Sequence, residues 1–210
     1  LLLAALPFLT YNHSIMQTSP SRRRLKTAGK LLLAAALTAL IIAWLSLTPP
    51  GLLGKADAVG YAVCHRIDLR SFHLDGRPLP LCARCSGMYL GALVGALYQL
   101  SKGRRGGLPA RKLWLPLIGL ALAFAVDGVN SYLHFIPGFS GLYEPNNTLR
   151  LVTGTGLGLL IPSLLLPAFH QTAWTEFDER PALDSWRALG ILLLLGAGVV
   201  LLVLSENPLI

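Results

Sequence analysis

The chain has 210 residues, of which 53% are hydrophobic and 13% charged, with a formal charge of +8. A soluble domain normally carries about 25% charged residues, so an ordinary soluble fold is excluded. The basic residues sit in short clusters beside apolar runs rather than along one folded face, which excludes nucleic acid and leaves the lipid bilayer as partner.

The opening "LLLAALPFLTYNHSI" precedes the first methionine, Met16. It lacks a charged n-region and an A-x-A cleavage site, so it makes a poor signal peptide. Residues 1–15 are therefore set aside from the fold argument, as upstream translation or a fragment edge, His13 with them. Residues 1–30 are read as an N-terminal segment and 31–210 as a single transmembrane domain.

Apolar runs predict five spans, over residues 31–47, 86–100, 113–133, 149–169 and 186–204. Crossing the bilayer takes about 20 residues, and each span must be helical to satisfy its own backbone. The fold class is thus all-α, an integral membrane bundle of about five transmembrane helices. The first span is stopped by Pro49-Pro50. The second is short and is expected to begin inside a polar motif, near Leu81 or Cys82. Residues 48–85 are read as a loop between helices 1 and 2.

Lys and Arg counts orient the bundle. Twelve basic residues lie before span one, between spans two and three, and between spans four and five, against six on the other side. This predicts a multi-pass protein of the cell membrane with a cytoplasmic N-terminus and an extracytoplasmic loop 48–85. Trp44, Trp114 and Trp186 read as interface anchors, and His170 as a residue of a cytoplasmic loop. Gly87, Gly91 and Gly95 in span two, and Gly154 and Gly158 in span four, are spaced to let helix backbones approach closely.

All three cysteines lie in the 48–85 stretch and its edge. Cys82 and Cys85 form a C-x-x-C unit, three residues apart and so on one side of a helix start. Cys64 and His65 lie upstream, across a loop long enough to fold back. Cys64, His65, Cys82 and Cys85 match the donor set of a tetrahedral zinc site, though thiolates also suit other thiophilic metals. Adjacent residues share one ion only where the backbone turns sharply, which makes His73 the alternative fourth ligand.

A thiol–disulfide reading competes, because a helix N-terminus and Arg84 both favour a thiolate. It implies a membrane oxidoreductase using the C-x-x-C pair with a quinone or partner protein, but thioredoxin-type βαβ surroundings are absent. Arg66, Arg70 and Arg84 are candidates to surround and stabilise the thiolates; a solvated, salt-bridged loop explains them equally well.

Asp127 falls inside span three, where Gly119, Ala123, Asp127, Asn130 and His134 form one small or polar helical face. A carboxylate within a span faces the bundle by default. Arg150 is its expected partner, with Asn146, Asn147 and Thr153 adding hydrogen bonds. This intramembrane group admits a third reading, a small transporter or permease component. Five helices make a meagre pathway alone, so that reading requires a homo-oligomer or a membrane partner. The competing role for Asp127 and Arg150 is a pair that sets helix packing.

"CHRIDLRSF", "PLCARCSGMYLG", the Asp127-Gly128 pair and "NNTLRLVTGTGLG", in this order, resemble a family of bacterial and archaeal multi-pass membrane proteins, domain of unknown function 2085. The resemblance covers about residues 55–160. The family often has Pro after "CHRI", where this chain has Asp68. The resemblance implies an integral membrane protein with a Cys/His motif, and it brings no activity, substrate or cofactor.

Overall fold

The computed structural model describes residues 20–138 and 140–205, with side chains from residue 27 onward. Residues 1–15, set aside above, lie outside the described residues. Two compact units divide at Gly51. The first carries α1 (Pro20–Leu47), which begins well before the predicted span because the basic stretch 22–30 continues the helix. Near its end Ser46 Oγ donates to Ile42 O at 2.6 Å and Thr48 Oγ1 to Trp44 O at 2.6 Å. Both hydroxyls are thereby satisfied without leaving an apolar helix.

The second unit holds the other elements. A short helix, α2 (Gly51–Val63), stands where a loop was expected. The flanking Pro49-Pro50 and three internal glycines read as punctuation in the sequence, yet "KADAV" supplies a helical core. Its 13 residues are too few to cross a bilayer. A hairpin follows, β1 (His73–Leu74) with β2 (Arg77–Pro78), Leu74 facing Arg77. Asp75 and Gly76 have φ of 49° and 76°, as a two-residue type I′ turn requires.

Then come α3 (Ala83–Ser101), β3 (Arg105–Gly107), α4 (Trp114–Leu133), α5 (Asn147–Ala173), β4 (Asp178–Pro181) and α6 (Trp186–Leu204). The predicted spans thus survive as helices, and the all-α reading holds. Among the described residues four helices, α1, α4, α5 and α6, are long and apolar enough to cross a membrane. α3 is as long as α6 but is interrupted by Arg84, Ser86, Gln99 and three glycines.

α3 tolerates this composition because α5 covers its polar face. α5 is central and packs against α3, α4 and α6. The glycines expected to permit close approach do so. A Cβ on Gly87 would sit 2.8 Å from Thr155 N, one on Gly91 2.6 Å from Thr155 O, and one on Gly95 2.8 Å from Pro162 Cγ. From the other side, Gly154 meets the carbonyl of Arg84 and Gly158 that of Met88. The opposite face of α3 carries exposed Tyr89, Leu93, Leu97 and Leu100, an apolar surface suited to lipid.

α4 buries Leu113 at its start, then Leu117, Asp127, Asn130 and Ser131. The expected small-residue face is therefore only half right. Gly119 and Ala123 are exposed, and Leu117 takes the inward position. Lipid is as apolar as a leucine core, so hydrophobicity did not force either choice.

β3 and β4 pair in parallel and join the α3–α4 and α5–α6 loops at one end of the bundle. His170 lies in α5, buried, rather than in a loop; its Nδ1 donates to Arg105 O at 3.0 Å. Gln171 Nε2 donates to Gly106 O at 2.5 Å. Leu113, Leu117, Leu159, Leu183, Leu189 and Leu192 form the apolar core around α5.

Gly91→Leu should destabilise the folded protein by about 1–3 kcal/mol through overpacking. Gly119→Ala has no atom within 4 Å of the new Cβ and should leave stability unchanged or raise it slightly. Thermal unfolding of both variants in one detergent measures the contrast.

Candidate metal centre

Cys64 follows α2 directly, and its N–H continues the helix by donating to Gly60 O at 2.9 Å. Beyond it the chain turns at Arg66, whose φ of 48° is unusual for a residue with a side chain. That turn aims the Arg66 N–H back at Cys64 Sγ, 3.4 Å away. Asp57 on α2 then accepts Arg66 Nη2 at 2.6 Å and also binds Arg77 of the hairpin. One carboxylate thereby clamps both arms of the loop to α2.

The returning arm is fixed by close packing. The Pro80 carbonyl lies where a Cβ on Gly60 would stand, so only glycine admits this approach. Two residues later Cys82 caps the start of α3, and its N–H reaches Cys64 Sγ at 3.4 Å. Cys85 sits one helical turn on. The sulfur atoms of Cys64, Cys82 and Cys85 all lie within 4.8 Å of one another. The three are partly buried and free of disulfides.

The surroundings favour a negative sulfur at Cys82. Cys64 Sγ accepts two backbone N–H groups, from Arg66 and Cys82. The Cys82 thiol, in the loop ahead of α3, is held down to about 5. A hydrogen bond from the Cys85 thiol is the main cause; the N–H groups of residues 84 and 85 and the Cys64 thiol add to it, while burial opposes.

Neither histidine joins this group. His65 is exposed and lies outside the cluster of converging donors. His73 instead faces Asp68, Nε2 to Oδ1 at 3.0 Å.

The arginines divide. Arg66 is spent on Asp57 and stacks on Tyr61 at 4.3 Å. Arg70 donates to Ser131 O at 3.1 Å and stacks on Phe135 at 4.2 Å. Arg84, between the two C-x-x-C cysteines, pairs with Asp127 through Nε at 3.1 Å and through Nη2. The same Nη2 reaches Ser131 Oγ at 3.0 Å.

This corrects the expected Asp127–Arg150 pair. Asp127 is 1% exposed, and its carboxylate also accepts Tyr143 Oη at 3.0 Å and Thr153 Oγ1 at 3.4 Å. Arg150 donates to Asn147 Oδ1 at 2.9 Å, and its Nε is buried without a partner among the described residues. Arg84 wins because the glycine contact of α3 with α5 brings it over Asp127, whereas Arg150 turns toward the loop. Asn146 is the α5 cap, accepting Leu149 N–H at 2.8 Å. Asn147 Nδ2 donates to Ser71 O at 3.2 Å, tying the cysteine loop to α5.

Sequence reasoning missed Asp57, Ser131 and Tyr143. Tyr143 is placed by Asn130, whose Oδ1 accepts Leu142 N–H at 2.6 Å and whose Nδ2 donates to Tyr143 O at 2.8 Å. A buried amide in α4 beside a long loop was the available signal. Asp57, the acid of "GKADAV", carried a weaker one.

Fold and site define a multi-helix membrane protein in which three thiols converge at one end of a helix bundle. The family described as "Predicted membrane protein (DUF2085)" matches residues 64–164, the stretch that contains every one of these cysteines. The chain belongs to this family. It is similar to an uncharacterized protein of Methanocaldococcus jannaschii, 32% identical over 120 residues, 57% of this chain and 72% of that one. It is also similar to an uncharacterized protein of Methanothermobacter thermautotrophicus, 35% identical over 109 residues, 50% of this chain and 86% of that one. No solved structure matches.

Asp127→Ala leaves the Arg84 guanidinium, whose side chain is only 20% exposed, without its counter-ion. It should cost about 3–5 kcal/mol, the usual effect of breaking a buried pair. Glu144→Ala, at a side chain 95% exposed, should change stability by less than about 0.5 kcal/mol. Thermal or denaturant unfolding in detergent compares the two.

Proposed function

We propose that this membrane protein holds a thiophilic metal ion, zinc first, through Cys64, Cys82 and Cys85 at one face of its bundle. The observation that carries the reading is the convergence of three sulfurs within 4.8 Å from two distant chain segments. In a tetrahedral thiolate site the Zn–S bonds are about 2.3 Å, placing sulfurs roughly 3.8 Å apart. The cluster needs only small side-chain adjustments to meet that spacing. The depressed Cys82 thiol suits a metal-binding thiolate.

Among the described residues three donors converge here, so a tetrahedral ion would take its fourth ligand from outside the cluster. Bound zinc would supply a Lewis acid and tie the returning loop to the start of α3. The balance of Lys and Arg favours an extracytoplasmic position for this face. Arg84, Asp127, Tyr143 and Thr153 act as a packing lock beneath it. Asp127 is bonded by all three partners, which favours that role over a transport site.

The competing reading rests on the same C-x-x-C at a helix start. There Cys82 and Cys85 would lose two electrons and two protons to a quinone or a partner protein as they form a disulfide. Metal analysis of anaerobically purified full-length protein, with thiol counting after denaturation, separates the two. The expected result is about one zinc per chain, lost in Cys64→Ser and retained in His65→Ala. Metal-free protein with a reversible Cys82–Cys85 disulfide would overturn the metal reading in favour of thiol exchange.

A further inference from the structure

The other end of α3 holds a feature that the thiol cluster does not use. Tyr98 lies 13 residues beyond Cys85, about 20 Å along the helix. There a cavity of about 290 Å³ opens between α3, the start of β3 at Arg105 and the start of α6. Its wall includes Tyr98, Lys102, Arg105, Asp184, Arg187 and Ile191. Three cations thus face a single carboxylate.

Two buried donors in this wall lack acceptors among the described residues. Tyr98 is 8% exposed and its hydroxyl is unpartnered. Arg105 donates through Nη1 to Pro181 O at 2.8 Å, yet its Nε is buried and unpartnered. Its contact with Asp184 is long, at 4.0 Å. Buried donors in folded proteins are normally satisfied. A surplus of positive charge, two idle donors and a polar cavity together call for an oxyanion.

The apolar side of the same cavity indicates what carries that oxyanion. Ile191 lines it, and below Ile191 the exposed Leu194 and Leu195 continue along α6. Trp186, 58% exposed at the first turn of α6, suits the headgroup level of a bilayer. A free phosphate would use the cations and leave this track uncovered. We propose that the cavity seats the phosphate of an anionic phospholipid headgroup, with an acyl chain lying along α6. Basic pockets between transmembrane helices are suited to such headgroups.

The test uses the full chain, stripped of lipid in detergent, with added dioleoylphosphatidylglycerol, dioleoylphosphatidylcholine or inorganic phosphate. Lipid retention is read by native mass spectrometry and the unfolding midpoint by a thermal scan. Phosphatidylglycerol should be retained in preference to phosphatidylcholine and should raise the midpoint. Lys102→Ala and Arg187→Ala, at exposed positions, should each weaken retention about fivefold. Tyr98→Phe should weaken retention while leaving the midpoint of stripped protein unchanged or higher, because the hydroxyl it removes has no internal partner. Arg180→Ala, a cation paired with Asp178 away from the cavity wall, should retain lipid as the parent does. Equal retention of the two lipids, or parental retention in the three cavity variants, would overturn the proposal. So would a lower midpoint in stripped Tyr98→Phe, or a full midpoint shift from inorganic phosphate alone.

Discussion

The contact of α3 with α5 is the constraint on which the rest of the second unit depends. It is built from glycines on both helices, so that backbone meets backbone: Gly87 and Gly91 against Thr155, Gly154 against the Arg84 carbonyl, Gly158 against Met88. In a bilayer, apolar side chains gain little by leaving lipid for one another. Close van der Waals approach between small residues takes over the role that hydrophobic burial plays in water. A helix with Arg, Ser and Gln in it can therefore occupy the bundle, provided its polar face is pressed against a neighbour.

That approach also sets the chemistry at one end. Arg84 lies in the same helical turn as both C-x-x-C sulfurs and directly against Gly154. Its guanidinium is carried onto Asp127, and Asp127 gathers Tyr143 and Thr153. The start of α3 is thus locked to α4 and α5. The loop is positioned separately, by Asp57 gripping Arg66 and Arg77 and by Pro80 packed on Gly60. Asn147 joins the two systems through the backbone at Ser71. Three thiols meet because two rigid supports deliver them, which suits a site that must hold its geometry.

The two ends of the bundle solve different electrostatic problems. At the cysteine end, the buried Asp127 carboxylate is saturated by donors, and Cys64 Sγ takes the N–H groups of Arg66 and Cys82. At the opposite end, cations outnumber carboxylates and donors at Tyr98 and Arg105 are left over. α3 spans both.

The sequence by itself determined the helices, because spans of apolar residues and their Pro and Gly limits are local properties of the chain. It also marked the glycine contact and the C-x-x-C unit, whose spacing alone puts residues on one helix face. α2 and the Asp75-Gly76 hairpin were hidden in what read as a loop, since neither carries a long periodic pattern. Which arginine meets Asp127, which face of α4 turns inward, and that His65 stays outside the thiol cluster were decided only by the tertiary structure. Each of those choices depends on how far one helix lies from another. Periodicity in a single helix specifies its faces, whereas the distance between helices is set by the residues of both.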